Sequence, residues 1–223
     1  MHVYGCSFIY QLQKMIGNNY ESDDCFKGRG GVDNESISRM VLDDILVDGT
    51  IEHVHISWTG LCRSSVGVSE QLGYIDNKEY WAVVNVSKGH RILSGGKIGL
   101  WNTSKTAPRI AKVVFKEKYL VDDPGFYTGE SLYHIHACHA ILQSMDISFS
   151  FNFLYDWKAD HNEQSLGKVD TTHWYYTSLD RTNLIDIPPY DYGIKHGLLL
   201  DQLHLTDEGM WKWWQTVRGL IEV

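Results

Sequence analysis

His2-Val-Tyr-Gly-Cys-Ser-Phe-Ile-Tyr-Gln-Leu-Gln-Lys-Met-Ile16 sets the reading of the whole chain. His2 to Tyr4 reads as a short strand that breaks at Gly5. Phe8, Leu12 and Met15–Ile16 then recur at helical spacing on one face, and Gly17-Asn18-Asn19 ends the pattern. The same unit repeats. Asp24 to Lys27 reads as a strand, Gly28-Arg29-Gly30-Gly31 as a loop, and Asn34 as the N-cap of a helix carrying Ile37, Met40, Val41 and Ile45. After the Asp48-Gly49 turn, His53 to Trp58 (HVHISW) reads as a buried strand.

Further on, Thr128 to Met145 has helical spacing through Leu132, Ile135, Cys138, Leu142 and Met145. Ile147 to Phe153 (ISFSFNF) alternates as a strand does, and Thr206 to Ile221 is an amphipathic helix with Thr206 as its N-cap. Alternating strands and helices imply a mainly parallel sheet with helices on both faces. The expectation is a flavodoxin-like α/β/α sandwich of about four or five parallel strands, a single domain over residues 1–223. A β-containing insertion covers roughly 64–127, with strands at Tyr80–Val86 and Lys97–Trp101 and a helix at Arg109–Leu120. Residues 154–200 read as loop-rich.

In such a sheet the active site lies at the carboxyl ends of the strands. Gly5-Cys6-Ser7, Gly28 to Asn34 and Trp58 to Arg63 converge there. Ser7 sits at a strand-to-helix turn, where a nucleophilic hydroxyl would be exposed and the helix N-terminus would favour a developing anion. Taken alone it reads as a helix N-cap. Asp201-Gln202-Leu203-His204 precedes the last helix. An Asp three residues before a His can orient the imidazole, which then takes a proton from a serine. Alone, it is a polar turn with an Asp cap. The glycines at 28–31 can aim backbone N–H groups at an oxyanion.

Composition narrows the field. The 223 residues are 43% hydrophobic, enough for a proper core. Twenty Lys+Arg against 28 Asp+Glu leave −8, which argues against a phosphate-backbone binder, so no nucleic-acid partner is expected. No apolar run reaches about 18 residues, so no membrane partner or span is expected. Met1-His-Val-Tyr-Gly lacks a basic n-region and an apolar h-region, so the expectation is a cytoplasmic product without a signal peptide. Cys6, Cys25, Cys62 and Cys138 form no CxxC pair and read as reduced thiols. His134, His136 and His139 tempt a metal reading, but only 136 and 139 share a helix face, and no acidic or cysteine ligand completes a set. His53 and His55 share one strand face and should be hydrogen-bonded. The insertion aromatics Tyr74, Tyr80, Trp81, Trp101 and Tyr119 suit a glycan platform, a mini-core or an oligomer interface.

The blocks YGCSF (4–8), GRGGVDN (28–34), HISWTGLCR (55–63) and DQLHLTDEGM (201–210), in this order, resemble the SGNH (GDSL-like) hydrolase family. The wording GCSF with W-T-G-x-x-R resembles a short branch of it carried by bacteriophages. The resemblance implies a metal- and cofactor-free hydrolysis through an acyl-enzyme on Ser7, with His204 as general base and Asp201 orienting it. It implies an oxyanion hole from the backbone N–H groups of Ser7 and of Gly31 or Gly30. Cys6 stands where the family carries Asp, and Trp58-Thr59-Gly60-Leu61 lacks the asparagine of the third block. Asn34 and Thr59 are the candidate substitutes for that donor, and Trp58, Thr59 and Arg63 the candidate substrate contacts. The expected function is a serine esterase, removing O-acetyl groups from a glycan or cleaving a small ester. The alternatives are a structural or adhesive virion component on the same fold, with copies of itself or other phage proteins as partners, and a non-catalytic glycan-binding module.

Overall fold

The computed structural model describes residues 1–16, 18, 20–28, 33–60, 63–68, 80–85, 99–100, 124–154, 178–201 and 204–221. For residues 7, 63–68, 80–85, 99–100 and 124–128 the description is of the backbone alone. The elements are β1 (His2–Gly5), α1 (Ser7–Met15), β2 (Cys25–Gly28), α2 (Asn34–Val47), β3 (His53–Trp58), β4 (Arg63–Val68), β5 (Tyr80–Asn85) and β6 (Gly99–Leu100). They continue with α3 (Pro124–Ser144), β7 (Ser148–Phe153), α4 (Pro189–His196) and α5 (Asp207–Ile221).

Four strands form an all-parallel sheet in the order β2-β1-β3-β7. Leu184 adds a single parallel bridge to Phe151, with Ile185 N–H donating to the Phe151 carbonyl at 2.8 Å. This is the start of a fifth strand that goes no further. The order is that of a doubly wound α/β/α sandwich.

Because successive side chains alternate across a sheet, the register fixes two layers. Phe26, Val3, His55 and Ser150 form one row across the strands. Trp214 of α5 lies on that face, its ring centroid 5.3 Å from Phe26 and 5.5 Å from His55. Tyr4, Ile56 and Phe151 form the opposite row. The ring of His139 on α3 lies 4.5 Å from Phe151 there. The core fills both spaces with fully buried Val3, Ile9, Leu12, Ile37, Val41 and Trp213, among others. Each such side chain contributes about 1.5–3 kcal/mol.

Glycine at position 28 is required by this packing. A Cβ there would lie 2.1 Å from the backbone nitrogen of Tyr10, so only a residue without one lets α1 approach the carboxyl end of β2.

The insertion contains an antiparallel sheet, β4-β5-β6. The helix expected at 109–120 and the side chains of the insertion aromatics lie outside the described residues.

Several local expectations are corrected. Ser7 is not the cap of α1. Cys6 occupies that position, its carbonyl accepting the first helical bond from Tyr10 N–H at 3.1 Å. Asn34 is not the cap of α2. Asp33 is, with its carboxylate accepting from Ser36 N–H at 2.9 Å. The helix expected from Thr128 begins at Pro124, and Met145 lies past its end, exposed. The loop-rich stretch contains α4, which Pro189 opens and Gly197 closes at φ 65°. Proline at the first turn and a left-handed glycine after the last are the usual marks of helix ends. On α5 the spacing of Trp211 and Trp214 puts them on one face and predicts that both pack on the sheet, whereas Trp213 and Trp214 are the fully buried pair. Trp211 packs half-buried against Tyr20.

Candidate active site

The carboxyl ends of β1, β2 and β3 are adjacent, with Gly5 paired in register to both Gly28 and Ser57. The three N-terminal blocks therefore meet at one edge. Ser7 is the first residue of α1. The N–H groups of positions 7, 8 and 9 precede the first helical bond and have no acceptor within the helix. The Ser7 side chain and all of Gly30 and Gly31 lie outside the described residues.

Asn34, expected as an oxyanion donor, is committed elsewhere. It is fully buried. Its Oδ1 accepts from Thr59 N–H at 2.9 Å and its Nδ2 donates to the Thr59 carbonyl at 3.3 Å. The amide thus ties the start of α2 to the turn after β3. Two further expectations are corrected here. Trp58, expected to touch substrate, is fully buried in the α3 layer, where its indole N–H donates to His139 Nε2 at 3.3 Å. Thr59 is 1% exposed and turned inward, and its hydroxyl, like that of Ser57, is buried with no hydrogen-bond partner among the described residues. Arg63 opens β4 with its backbone paired to Asn85, and its side chain is outside the description.

The Asp201–His204 pair forms a tight turn. Leu199 and Leu205 bridge antiparallel, and Leu200 N–H donates to the His204 carbonyl at 2.7 Å. Asp201 Oδ1 accepts from His204 N–H at 2.8 Å. The same carboxylate meets the imidazole, with Nδ1 at 3.0 Å from Oδ1 and 2.9 Å from Oδ2. A carboxylate accepts, so Nδ1 carries the proton in this pair and Nε2 is the basic nitrogen. Nε2 has no partner among the described residues. Both side chains are about half exposed, at 55% and 56%.

His204 lines an open groove of about 530 Å³. One wall is α1, through Gln11, Lys14 and Met15, and the other includes Asp207 and Met210 at the start of α5. Positions 7, 11 and 14 fall on one stripe of α1. Ser7 therefore begins the stripe that walls the groove in which His204 stands. The sequence reading missed Gln11 and Lys14. Their signal was present as a polar stripe behind the apolar Phe8–Leu12–Met15 face, but a solvated helix face has the same pattern.

Among the described residues, no group of three or more His, Cys, Asp or Glu side chains could hold a metal ion. In the histidine cluster, His139 is buried against Trp58 and the phenylalanines of β7, while His134 lies 3.8 Å from the Glu35 carboxylate. Cys6, Cys25 and Cys138 are free thiols, and Cys62 lies outside the described residues. No family model and no curated protein matches the chain.

Proposed function

We propose that the chain is a serine esterase of SGNH type, with Ser7 as nucleophile, His204 as general base and Asp201 as its orienting carboxylate. The observation that carries this reading is the Asp201–His204 pair in a groove walled by the α1 stripe that position 7 begins. An imidazole held by a carboxylate at Nδ1, with no partner at Nε2 among the described residues and in a residue that lines a groove, is arranged as a general base.

In the reaction, Ser7 Oγ attacks the ester carbonyl carbon while its proton passes to His204 Nε2. The oxyanion forms beside the N–H groups of the first turn of α1 that have no acceptor within the helix. The bond to the alcohol oxygen breaks, and His204 returns the proton to that oxygen. Water then attacks the acyl carbon and gives a proton to His204 Nε2; the bond to Ser7 Oγ breaks, His204 returns the proton to that oxygen, and the acid leaves. Asp201 stabilises the imidazolium in both halves. A carbohydrate O-acetyl ester is the substrate suggested by the resemblance together with the aromatic-rich insertion.

A second reading is a virion component, structural or adhesive, that keeps the fold without the activity. It draws on Asn34, whose side-chain amide is committed to the Thr59 backbone, and on a third block without the asparagine that would serve as a side-chain oxyanion donor. Loss of one such donor costs about 10²–10³ in rate. A fluorophosphonate probe separates the two. The esterase reading expects a covalent adduct at Ser7 by mass spectrometry, absent in Ser7→Ala and reduced at least about 10²-fold in rate in His204→Ala. Folded wild-type protein that takes no adduct would support the virion reading instead. Among the described residues no helix is long and apolar enough to cross a membrane.

A further inference from the structure

We infer that Gly209 and Gly193 are positioning residues for His204: α5 and α4 each use the absence of a side chain to seat the turn that carries the candidate base. The inference rests on the esterase reading for what His204 does. The seating itself stands on contacts within the fold.

The turn runs from Leu198 to Thr206 and is braced along its length. Thr206 N–H donates to the Leu198 carbonyl at 2.8 Å, Leu199 and Leu205 bridge antiparallel, and Leu200 N–H donates to the His204 carbonyl at 2.7 Å. These rungs tie the two stems together, so a push at the base of the turn reaches His204.

The base lies on α5, where Gly209 is buried. A Cβ there would lie 2.9 Å from Leu198 Cβ, 2.9 Å from the Leu198 carbonyl oxygen and 3.1 Å from Thr206 Oγ1. Carbon atoms in contact sit about 3.5–4.0 Å apart. The Leu198 carbonyl is backbone, already bonded to Thr206 N–H, and cannot swing aside. The middle of the turn lies on α4, where Gly193 is buried and its carbonyl accepts from Leu198 N–H at 2.9 Å. A Cβ on Gly193 would lie 2.6 Å from Leu199 Cδ2 and 3.2 Å from Leu205 Cγ, which belong to the bridged pair. Gly219, on the same helix as Gly209, supplies the contrast, because a Cβ there meets nothing within 4 Å. Alanine is the better helix former at both α5 positions. Only at 209 does packing oppose it, and close-packed interiors pass such strain on. Opening a 2.9 Å contact to ordinary distance moves the base of the turn by about 0.5 Å. A misplacement of about 1 Å can cost about 10²-fold in rate, so about tenfold is expected here.

The test compares Gly209→Ala with Gly219→Ala in the full chain. The readouts are the rate of fluorophosphonate attachment at Ser7 and the His204 signals in the NMR spectrum of isotopically labelled protein. Gly209→Ala should slow labelling about tenfold and shift the His204 signals, with an unchanged circular dichroism spectrum. Gly219→Ala should leave the rate within about twofold of wild type and the His204 signals in place. Gly193→Ala should act in the same direction but more weakly, about threefold, because Leu199 Cδ2 is the flexible end of a side chain. Adding Leu199→Ala removes that end and should bring the rate back to within about twofold of Leu199→Ala alone, a rescue that a general loss of stability does not give. Unmoved rate and signals in Gly209→Ala, or equal effects from Gly219→Ala, overturn the inference and leave the esterase reading standing. If Gly209→Ala does not fold, the Gly193 pair decides, and a missing rescue overturns it. If wild-type Ser7 takes no probe, the esterase reading falls instead. The His204 signals then decide the seating alone, and their constancy in Gly209→Ala overturns it.

Discussion

His55 and His204 are the same side chain in opposite circumstances. His55 is fully buried on β3. Its Nδ1 lies 2.9 Å from Ser150 Oγ and its Nε2 2.9 Å from Asn152 Oδ1, so both ring nitrogens are occupied. Asn152 Nδ2 donates to the Phe153 carbonyl at 3.1 Å, which leaves its Oδ1 as acceptor. That fixes the His55 proton on Nε2 and makes Nδ1 the acceptor from Ser150. His204 has one nitrogen tied to a carboxylate and no partner for the other among the described residues, and the residue lines a groove. A histidine with two fixed neutral partners is a structural member. One with a single carboxylate partner and a vacant basic nitrogen can move a proton. The contrast lies in the second nitrogen, and burial alone does not supply it.

The largest expected effect tests the His204 side of this comparison. In Asp201→Asn the amide oxygen can keep the bond from His204 N–H, so the turn survives. Its NH₂ can donate to Nδ1, which moves the imidazole proton to Nε2 and removes the base. The rate of probe attachment at Ser7 should fall about 10²–10⁴-fold, the usual weight of a positioned general base, with an unchanged circular dichroism spectrum. A labelling rate within a few-fold of wild type would make the pair a turn and nothing more.

The next effect tests the buried side. Burial lowers the His55 pKa to about 4, with His53 adding to the lowering and the Asn152 bond partly opposing it. His139 is lowered to about 3, again first by burial and then by His136, with Asp180 opposing. In the unfolded chain both titrate near 6.5. The folded state therefore binds fewer protons between these values, and stability falls as pH drops below about 6.5. Each group contributes a loss on the order of 3 kcal/mol by pH 4. Urea unfolding at pH 7 and pH 4.5 checks this. Equal midpoints at the two values would mean that neither histidine is held neutral by the fold.

The parts of the fold that were legible in the sequence are those with strict periodicity. HVHISW could be read as β3 residue for residue, because a run bounded by turns and buried on both faces has few alternatives. The helix faces of α1 and α2 followed from apolar spacing. Caps were misplaced by one residue at both helices: Asp33 and Asn34 are near-equal caps side by side, and at α1 a cysteine with no side-chain cap bond holds the position before Ser7. Helix α4 was missed because eight residues carry little periodicity, and its signs were only Pro189 and Gly197. At the candidate site, Asp201 and His204 were legible because their bond is local. Asn34 and Thr59 are 25 residues apart, and no local pattern says that one will clamp the other.

The smallest expected effect sharpens the comparison by supplying its control. Asp33 and Asp201 make the same backbone bond, each accepting from the N–H three residues on, at 2.9 Å from Ser36 and 2.8 Å from His204. Only Asp201 also faces an imidazole. Asp33→Ala therefore measures what the loss of a capping carboxylate at a buried helix start costs. The expected loss is about 1 kcal/mol, read as a drop of a few degrees in Tm, together with a probe labelling rate within about twofold of wild type at a temperature where both proteins are folded. Asp201→Ala loses a comparable bond, from a more exposed site, and should lower Tm no more than Asp33→Ala does. Any further loss of labelling in Asp201→Ala then belongs to the carboxylate–imidazole contact, because the cap contribution has been measured separately. If Asp33→Ala slows labelling as much as Asp201→Ala does, the rate follows the stability of the edge as a whole, and orientation of His204 ceases to explain it.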